Sequence, residues 1–388
     1  MTPGQALEDL KRRGLLRGLK VLPENRGRFV LNGETWLNFS SNDYLDLAHH
    51  PALKAAAVRA VEEFGCSAAG SRLTSGHLIL HESLETALAA FVGMDTALVF
   101  GSGFLTNLGV IPALAGDRAT IFCDRLNHAS LIDGTLMAGV KWHRYRHNDA
   151  AHLAELLEKH PAADGETRLV ITDSVFSMDG DIAPLAEIAA IARRHGTLLI
   201  VDESHAVGVM GPNGAGLCAE LGIRPQALTC GMGKSFGSYG GFVACSVDLH
   251  ALIVNRARSF IYSTGLPPAV IAASHAALDL FVEARGALGA DLMDRARHMH
   301  ALLADAGFEM PPFASPILPV MVGDNHAALD FAARLADRRI LCSAIRPPTV
   351  PPGTARLRLT VTRAHAAEDL TAAARVFAEI GRELGVLR

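Results

Sequence analysis

The chain has 388 residues, 49% of them hydrophobic and 20% charged, which is enough to bury a sizeable core and too apolar for a disordered protein. Its 36 basic and 40 acidic residues leave a net charge of −4, which argues against a nucleic-acid or anionic-lipid partner. No run approaches the roughly 20 apolar residues needed to cross a bilayer, because glycine, proline or charge interrupts each one.

In chain order, residues 5 to 20 read as a basic helix. The short alternating stretches Phe29 to Leu31 and Thr35 to Phe39 then read as a hairpin turned by Asn32-Gly33. This segment, 1–50, reads as an N-terminal arm. From residue 51, helices of 10 to 15 residues alternate with short apolar runs at Ala97 to Phe100, Thr120 to Cys123, Leu169 to Thr172, Thr197 to Val201, Ala227 to Cys230 and Phe242 to Cys245. That rhythm predicts an α/β fold, a large and mostly parallel sheet covered by helices on both faces, over 51–285. A long helix from Ala269 towards Arg285 closes this domain. Beyond it, strands at Ile317 to Val322 and Arg356 to Val361 and a helix from Ala367 predict a smaller α+β domain over 286–388.

The six cysteines, at 66, 123, 218, 230, 245 and 342, form no C-x-x-C pair, and the N-terminal MTPGQALEDLKRRG lacks the apolar core of a secretory signal. Both point to the cytoplasm. The 17 histidines form no H-E-x-x-H pattern, so no bound metal is expected.

In an open α/β sheet, ligands sit beyond the carboxyl ends of the strands, so the polar residues just after each predicted strand come first. Gly101-Ser102-Gly103-Phe104 opens a helix whose first N–H groups suit a phosphate. Asp124-Arg125-Leu126-Asn127-His128 and the loop from Asp173 through Ser177 to Asp181 follow two further strands. Asp202-Glu203-Ser204-His205 places a carboxylate where it can face a protonated ring nitrogen, with a histidine three residues on.

The last junction, Gly231-Met232-Gly233-Lys234-Ser235-Phe236-Gly237, holds the only lysine after residue 159 in a chain with six lysines. Its G-K-S triplet invites a nucleotide-binding reading, but a P-loop requires glycine where Leu228 stands. The other reading is a lysine that forms a Schiff base with a carbonyl, held close to its ligand by side-chain-free backbone. A phosphate seat, a carboxylate, a histidine and a solitary lysine are together the groups that pyridoxal phosphate requires.

Seven strings carry a resemblance over essentially the whole chain: FSSNDYL (39–45), GSGF (101–104), DRLNHASL (124–131), VFSMDGDIAPL (175–185), VDESHAVGVMG (201–211), YSTGLPP (262–268) and IRPPTVPPGTARLRLT (345–360). On these the sequence resembles the pyridoxal-phosphate-dependent α-oxoamine synthases. The last string favours the member that condenses L-alanine with pimeloyl-CoA or a pimeloyl-carrier protein in biotin synthesis. A glycine C-acetyltransferase is the alternative within the family.

The resemblance implies fold type I, a cytoplasmic homodimer with active sites at the subunit interface, and pyridoxal 5′-phosphate as cofactor. It puts the Schiff base on Lys234, the pyridinium partner on Asp202, the phenolic-oxygen contact on His205 and the stacking ring, also facing substrate, on His128. Gly103, Phe104 and Gly231 would border the phosphate, Ser177 would lie close to the cofactor, and Thr264 would come from the second subunit. Arg358 would bind the amino acid's carboxylate with help from Asn42, while Arg17 and Thr349 would line the substrate path.

Two positions depart from the family. Gly231 stands where a threonine hydroxyl usually meets the cofactor phosphate, and losing that hydrogen bond costs about 1.5–3 kcal/mol unless Thr229 or Ser235 replaces it. Asp46 stands where the family commonly has glycine, which bears on the local turn.

Overall fold

The computed structural model describes residues 2–387. They form two compact units, one of Leu47–Phe176 with Ile182–Ala290, the other of the chain up to Asp46 with Ser177–Asp181 and everything from Asp291 on. The chain passes from the first to the second inside the helix Ala287–Asp305.

The first unit is built on a seven-stranded sheet in the order Thr96–Phe100, Gly241–Cys245, Ala227–Gly231, Leu198–Asp202, Thr167–Asp173, Ala119–Asp124, Lys141–Tyr145. The strands run parallel except Gly241–Cys245, which is antiparallel to both its neighbours. This is the α/β architecture that the alternation of strands and helices predicts. Ala119–Asp124, Ala227–Gly231 and Gly241–Cys245 are buried along their whole length, as strands covered on both faces must be. Val110, Ile111, Ile121, Ile171, Ile200 and Val243 belong to one core on this sheet. Each buried aliphatic side chain there contributes about 1.5–3 kcal/mol.

The strand Lys141–Tyr145 was not expected from the sequence. Its KWHRY composition reads as a charged surface segment, and it lies at the sheet's edge, where lysine and arginine discourage pairing with another chain.

The second unit contains the expected hairpin, Arg28–Leu31 against Glu34–Asn38, with Asn32 at φ 54° and Gly33 at φ 80° as a two-residue turn requires. Ile340–Leu341 extends it in parallel, and a separate antiparallel sheet runs Ile317–Gly323, Ala355–Thr360, Ser343–Ile345. The helices Asn325–Asp337 and Ala367–Glu383 pack together, with the rings of Phe331 and Phe377 5.8 Å apart.

The N-terminal helix is shorter than its sequence predicts, ending at Arg12. Gly14 turns the chain at φ 62°, and Asn325 and His326 tie down the carbonyls of Arg13 and Arg12. Leu15 is buried beyond that turn, which a continued amphipathic helix could not arrange.

Candidate active site

The strand Leu198–Asp202 delivers Asp202 to the carboxyl edge of the sheet, 5% exposed. Asp202 Oδ1 accepts the N–H of Ser204 at 2.8 Å, and Oδ2 accepts the side-chain amide of Asn107 at 2.7 Å. The same amide also donates to Ser130 Oγ at 2.9 Å, and Ser130 Oγ lies 2.8 Å from His128 Nδ1. A chain of hydrogen bonds therefore links Asp202 to His128 through the helix Gly103–Ala115.

His128 caps the helix Ala129–Met137 and gives its own N–H to Asp173 Oδ2 at 2.7 Å. Burial holds its imidazole below the ordinary histidine range, and the neighbouring Lys234 ammonium pushes in the same direction, against Asp202 and Asp133. Asp173 moves the other way: burial and the nearby Asp202 carboxylate push it well above the usual carboxylate range, while His128 and Lys234 oppose the shift. Asp202, His128, Lys234 and Asp173 thus act on one another at one edge of the sheet.

Phe104 meets His128 edge-on, with ring centroids 6.5 Å apart. Ser102 caps the helix that follows, its Oγ accepting the Leu105 N–H at 3.1 Å. The N–H groups of Gly103 and Phe104 precede that helix's own ladder, which makes this terminus a seat for an anion. Gly103 has to be glycine, since a Cβ there would lie 2.8 Å from Gly231 Cα. His205 sits 5% exposed on the loop after Asp202. That loop is tied down by Glu203, whose carboxylate accepts the N–H groups of Leu217 and Cys218 at 2.9 Å and whose pKa burial raises to about 7. Thr264 stands apart from these contacts, exposed, in an antiparallel bridge with Ser71.

The remaining expected residues lie in the second unit. Arg358, 7% exposed, donates from Nη1 to Asn42 Oδ1 at 3.2 Å and to Thr360 Oγ1 at 2.7 Å, and from Nε to the Ser177 carbonyl at 2.5 Å. Tyr44 also contacts this guanidinium; its phenol is pushed up by burial, with the arginine opposing the shift. Loop 177–181 packs on the strand Ile317–Gly323 through Gly180, at φ 72°, where a Cβ would come within 2.2 Å of the Ile317 carbonyl. Arg17 and Thr349 form a different group. Arg17 donates to the Pro347 carbonyl at 3.1 Å, the Thr349 N–H to the Arg346 carbonyl at 3.1 Å, and Arg346 to the carbonyls of Gly14 and Leu16.

The donor set of the first unit suits pyridoxal phosphate: an amine, a carboxylate, two histidines and a helix N-terminus at one sheet edge. Of the two hydroxyls expected to replace the one missing at Gly231, Ser235 donates instead to the Val207 carbonyl at 2.6 Å. Thr229 is buried inside its strand with no partner for its oxygen among the described residues. Asn107 and Ser130 are not among the residues that the sequence singles out, and Asp173 is there only as the first residue of a polar loop. The signal for Asn107 was its place one helical turn after Gly103, and that for Ser130 its place two residues after His128.

A model of the family "Aminotransferase class I and II" matches residues 34–377. The chain is 47% identical over 386 residues to the 8-amino-7-oxononanoate synthase of Pelobacter propionicus, with 98% of each chain covered. Among solved structures it resembles a serine palmitoyltransferase with pyridoxal phosphate as its internal aldimine, with a TM-score of 0.91, 29% identity and 99% and 98% of the two chains covered. It also resembles the 8-amino-7-oxononanoate synthase of Francisella tularensis, with a TM-score of 0.77, 27% identity and 90% and 98% covered.

Proposed function

This chain belongs to the class I and II aminotransferase family, among its 8-amino-7-oxononanoate synthases, and from that premise we propose that it condenses L-alanine with a pimeloyl thioester. The products are 8-amino-7-oxononanoate, carbon dioxide and the free thiol, and the cofactor is pyridoxal 5′-phosphate. The observation that carries this reading is the convergence of Asp202, His128 and Lys234 at the sheet edge beside the N-terminus of the helix Gly103–Ala115.

Bound there, pyridoxal phosphate supplies a ring that withdraws electrons from the amino acid's Cα. Lys234 would hold it covalently through Nζ, Asp202 would keep the ring nitrogen protonated, and His205 would contact the phenolic oxygen. His128 would cover one face of the ring, with Ser177 close by, and the N–H groups of Gly103 and Phe104 would receive the phosphate beside Gly231. Freed when the amino acid's own amine takes its place, Lys234 Nζ would serve as the base that takes the Cα proton.

Arg358 would bind alanine's carboxylate. Asn42, Thr360 and Ser177 already orient its fork by hydrogen bonds, so less rotational freedom is lost on binding. Arg17 and Thr349 would line the path of the acyl chain. The enzyme is proposed to work as a homodimer, with Thr264 reaching the cofactor of the second copy, an arrangement that fits its exposure here. Six free cysteines among the described residues suit the reducing cytoplasm in which we place it.

The test is to incubate purified protein and pyridoxal phosphate with L-alanine or glycine, and with pimeloyl-CoA, a pimeloyl-carrier protein or acetyl-CoA, and to identify products by mass. The oxononanoate from alanine with either pimeloyl donor is expected. Turnover of glycine and acetyl-CoA alone would move the activity to a glycine C-acetyltransferase.

A further inference from the structure

We propose that Ser204 supplies the hydroxyl that position 231 lacks, donating it to the phosphate of the bound cofactor. The proposal rests on the pyridoxal phosphate reading above and concerns how this chain retains that cofactor.

The space beside Gly231 is open. Its ideal Cβ would meet Ser204 Oγ at 3.4 Å, Gly103 Cα at 3.6 Å and Gly103 N at 3.9 Å, all ordinary contacts. Packing therefore does not forbid a side chain at 231, and the first atom such a side chain would touch is a hydroxyl. Ser204 is 5% exposed, and its Oγ accepts the Gly231 N–H at 2.8 Å. That bond fixes the oxygen and uses one of its lone pairs. Its own proton has no acceptor within hydrogen-bond reach among the described residues, an arrangement that is costly for a buried hydroxyl unless a ligand completes it.

The other hydroxyls nearby are committed or set back. Ser235 donates to Val207, Ser102 caps its helix, and Ser130 is engaged by Asn107 and His128. Thr229 lies within its strand at 1% exposure, in register with Asp202. Ser204 lies two residues past the strand's end, where ligands of such sheets sit, and Gly103, at the start of the anion-seating helix, packs against the same glycine. A dianionic phosphate placed among these groups gains one charge-assisted donor from Ser204.

The experiment titrates cofactor-free full-length protein with pyridoxal phosphate and, separately, with pyridoxal, reading the absorbance of the lysine-bound chromophore. Ser204→Ala should weaken pyridoxal phosphate by about ten- to a hundredfold, the range of a hydrogen bond to a charged group, and leave pyridoxal unchanged. Adding Gly231→Thr to that variant should restore the phosphate ester's affinity. Equal weakening of both ligands, or of neither, overturns the proposal. The single variant Gly231→Thr gives an independent reading should Ser204→Ala fail to fold. With Ser204 already serving the phosphate its gain stays below about threefold, and any larger gain overturns the proposal. Wild-type protein that binds neither ligand would overturn the cofactor reading instead.

Discussion

Asn107 donates its side-chain amide to Asp202 Oδ2 at 2.7 Å from the buried side of the helix Gly103–Ala115, and both residues are withdrawn from solvent. The carboxylate proposed to face the cofactor is thus positioned by a residue nearly a hundred positions earlier in the chain. Through Ser130 the same amide also reaches the ring proposed to cover the cofactor.

Asn107→Ala is therefore expected to lower turnover by about ten- to a hundredfold, with cofactor binding weakened but measurable, since it removes a hydrogen bond to a buried charged group. Asn107→Asp should be worse than alanine, because it sets a second carboxylate against Asp202. Initial rates at saturating cofactor for the three proteins check this order. An aspartate variant as active as wild type would contradict it.

Lys234→Ala should lose both turnover and covalent attachment. Borohydride reduction followed by peptide mass analysis should place the cofactor on the Lys234 peptide of wild type and on no peptide of the variant. Asp202→Asn should keep the attachment and lose at least a hundredfold in rate, because a neutral amide no longer favours a protonated ring nitrogen.

Asp46 adopts φ 55°, the left-handed conformation that favours glycine, and its carboxylate lies 3.4 Å from the part-exposed Arg26. A non-glycine residue in this turn carries a conformational cost, offset in part by a surface ion pair of small value. Asp46→Gly should leave stability unchanged or raise it by up to about 1 kcal/mol, whereas Asp46→Ala should lower it by about 1 kcal/mol. Urea unfolding of both variants decides the order.

His365 is buried, stacks on Phe39 with centroids 4.3 Å apart, and accepts the Thr362 N–H at 3.0 Å. Burial lowers its pKa to about 4. Between about pH 6.5 and 4 the unfolded chain takes up a proton here that the folded one refuses. This histidine's contribution is therefore intact above the unfolded pKa and declines as pH falls through that window, by about 3 kcal/mol at most. His365→Gln should destabilise the protein at pH 7, with the gap to wild type narrowing by pH 4. A gap that stays constant across that range would show that the histidine is not held neutral.

The features carried by neighbouring residues are legible in the chain alone. Buried parallel strands must be nearly continuous apolar runs, so Ala119–Asp124, Thr167–Asp173 and Ala227–Gly231 could be read directly, as could the polar residues that follow such strands. The isolated Lys234 among glycines, and Asp202 with His205 three residues on, stood out because backbone freedom and reactive groups occur there within one short segment. Relations between distant segments emerge only from the packed fold. Lys141–Tyr145 becomes a strand because Ala119–Asp124 lies beside it, since of its own residues only Tyr145 is buried. Asn107 and Ser130 acquire partners only where two helices cross, and the Ser204 hydroxyl meets Gly231 only because two strands end side by side. Periodicity and propensity act over a few residues, whereas a hydrogen bond between side chains about a hundred positions apart depends on a close packing that no local pattern encodes.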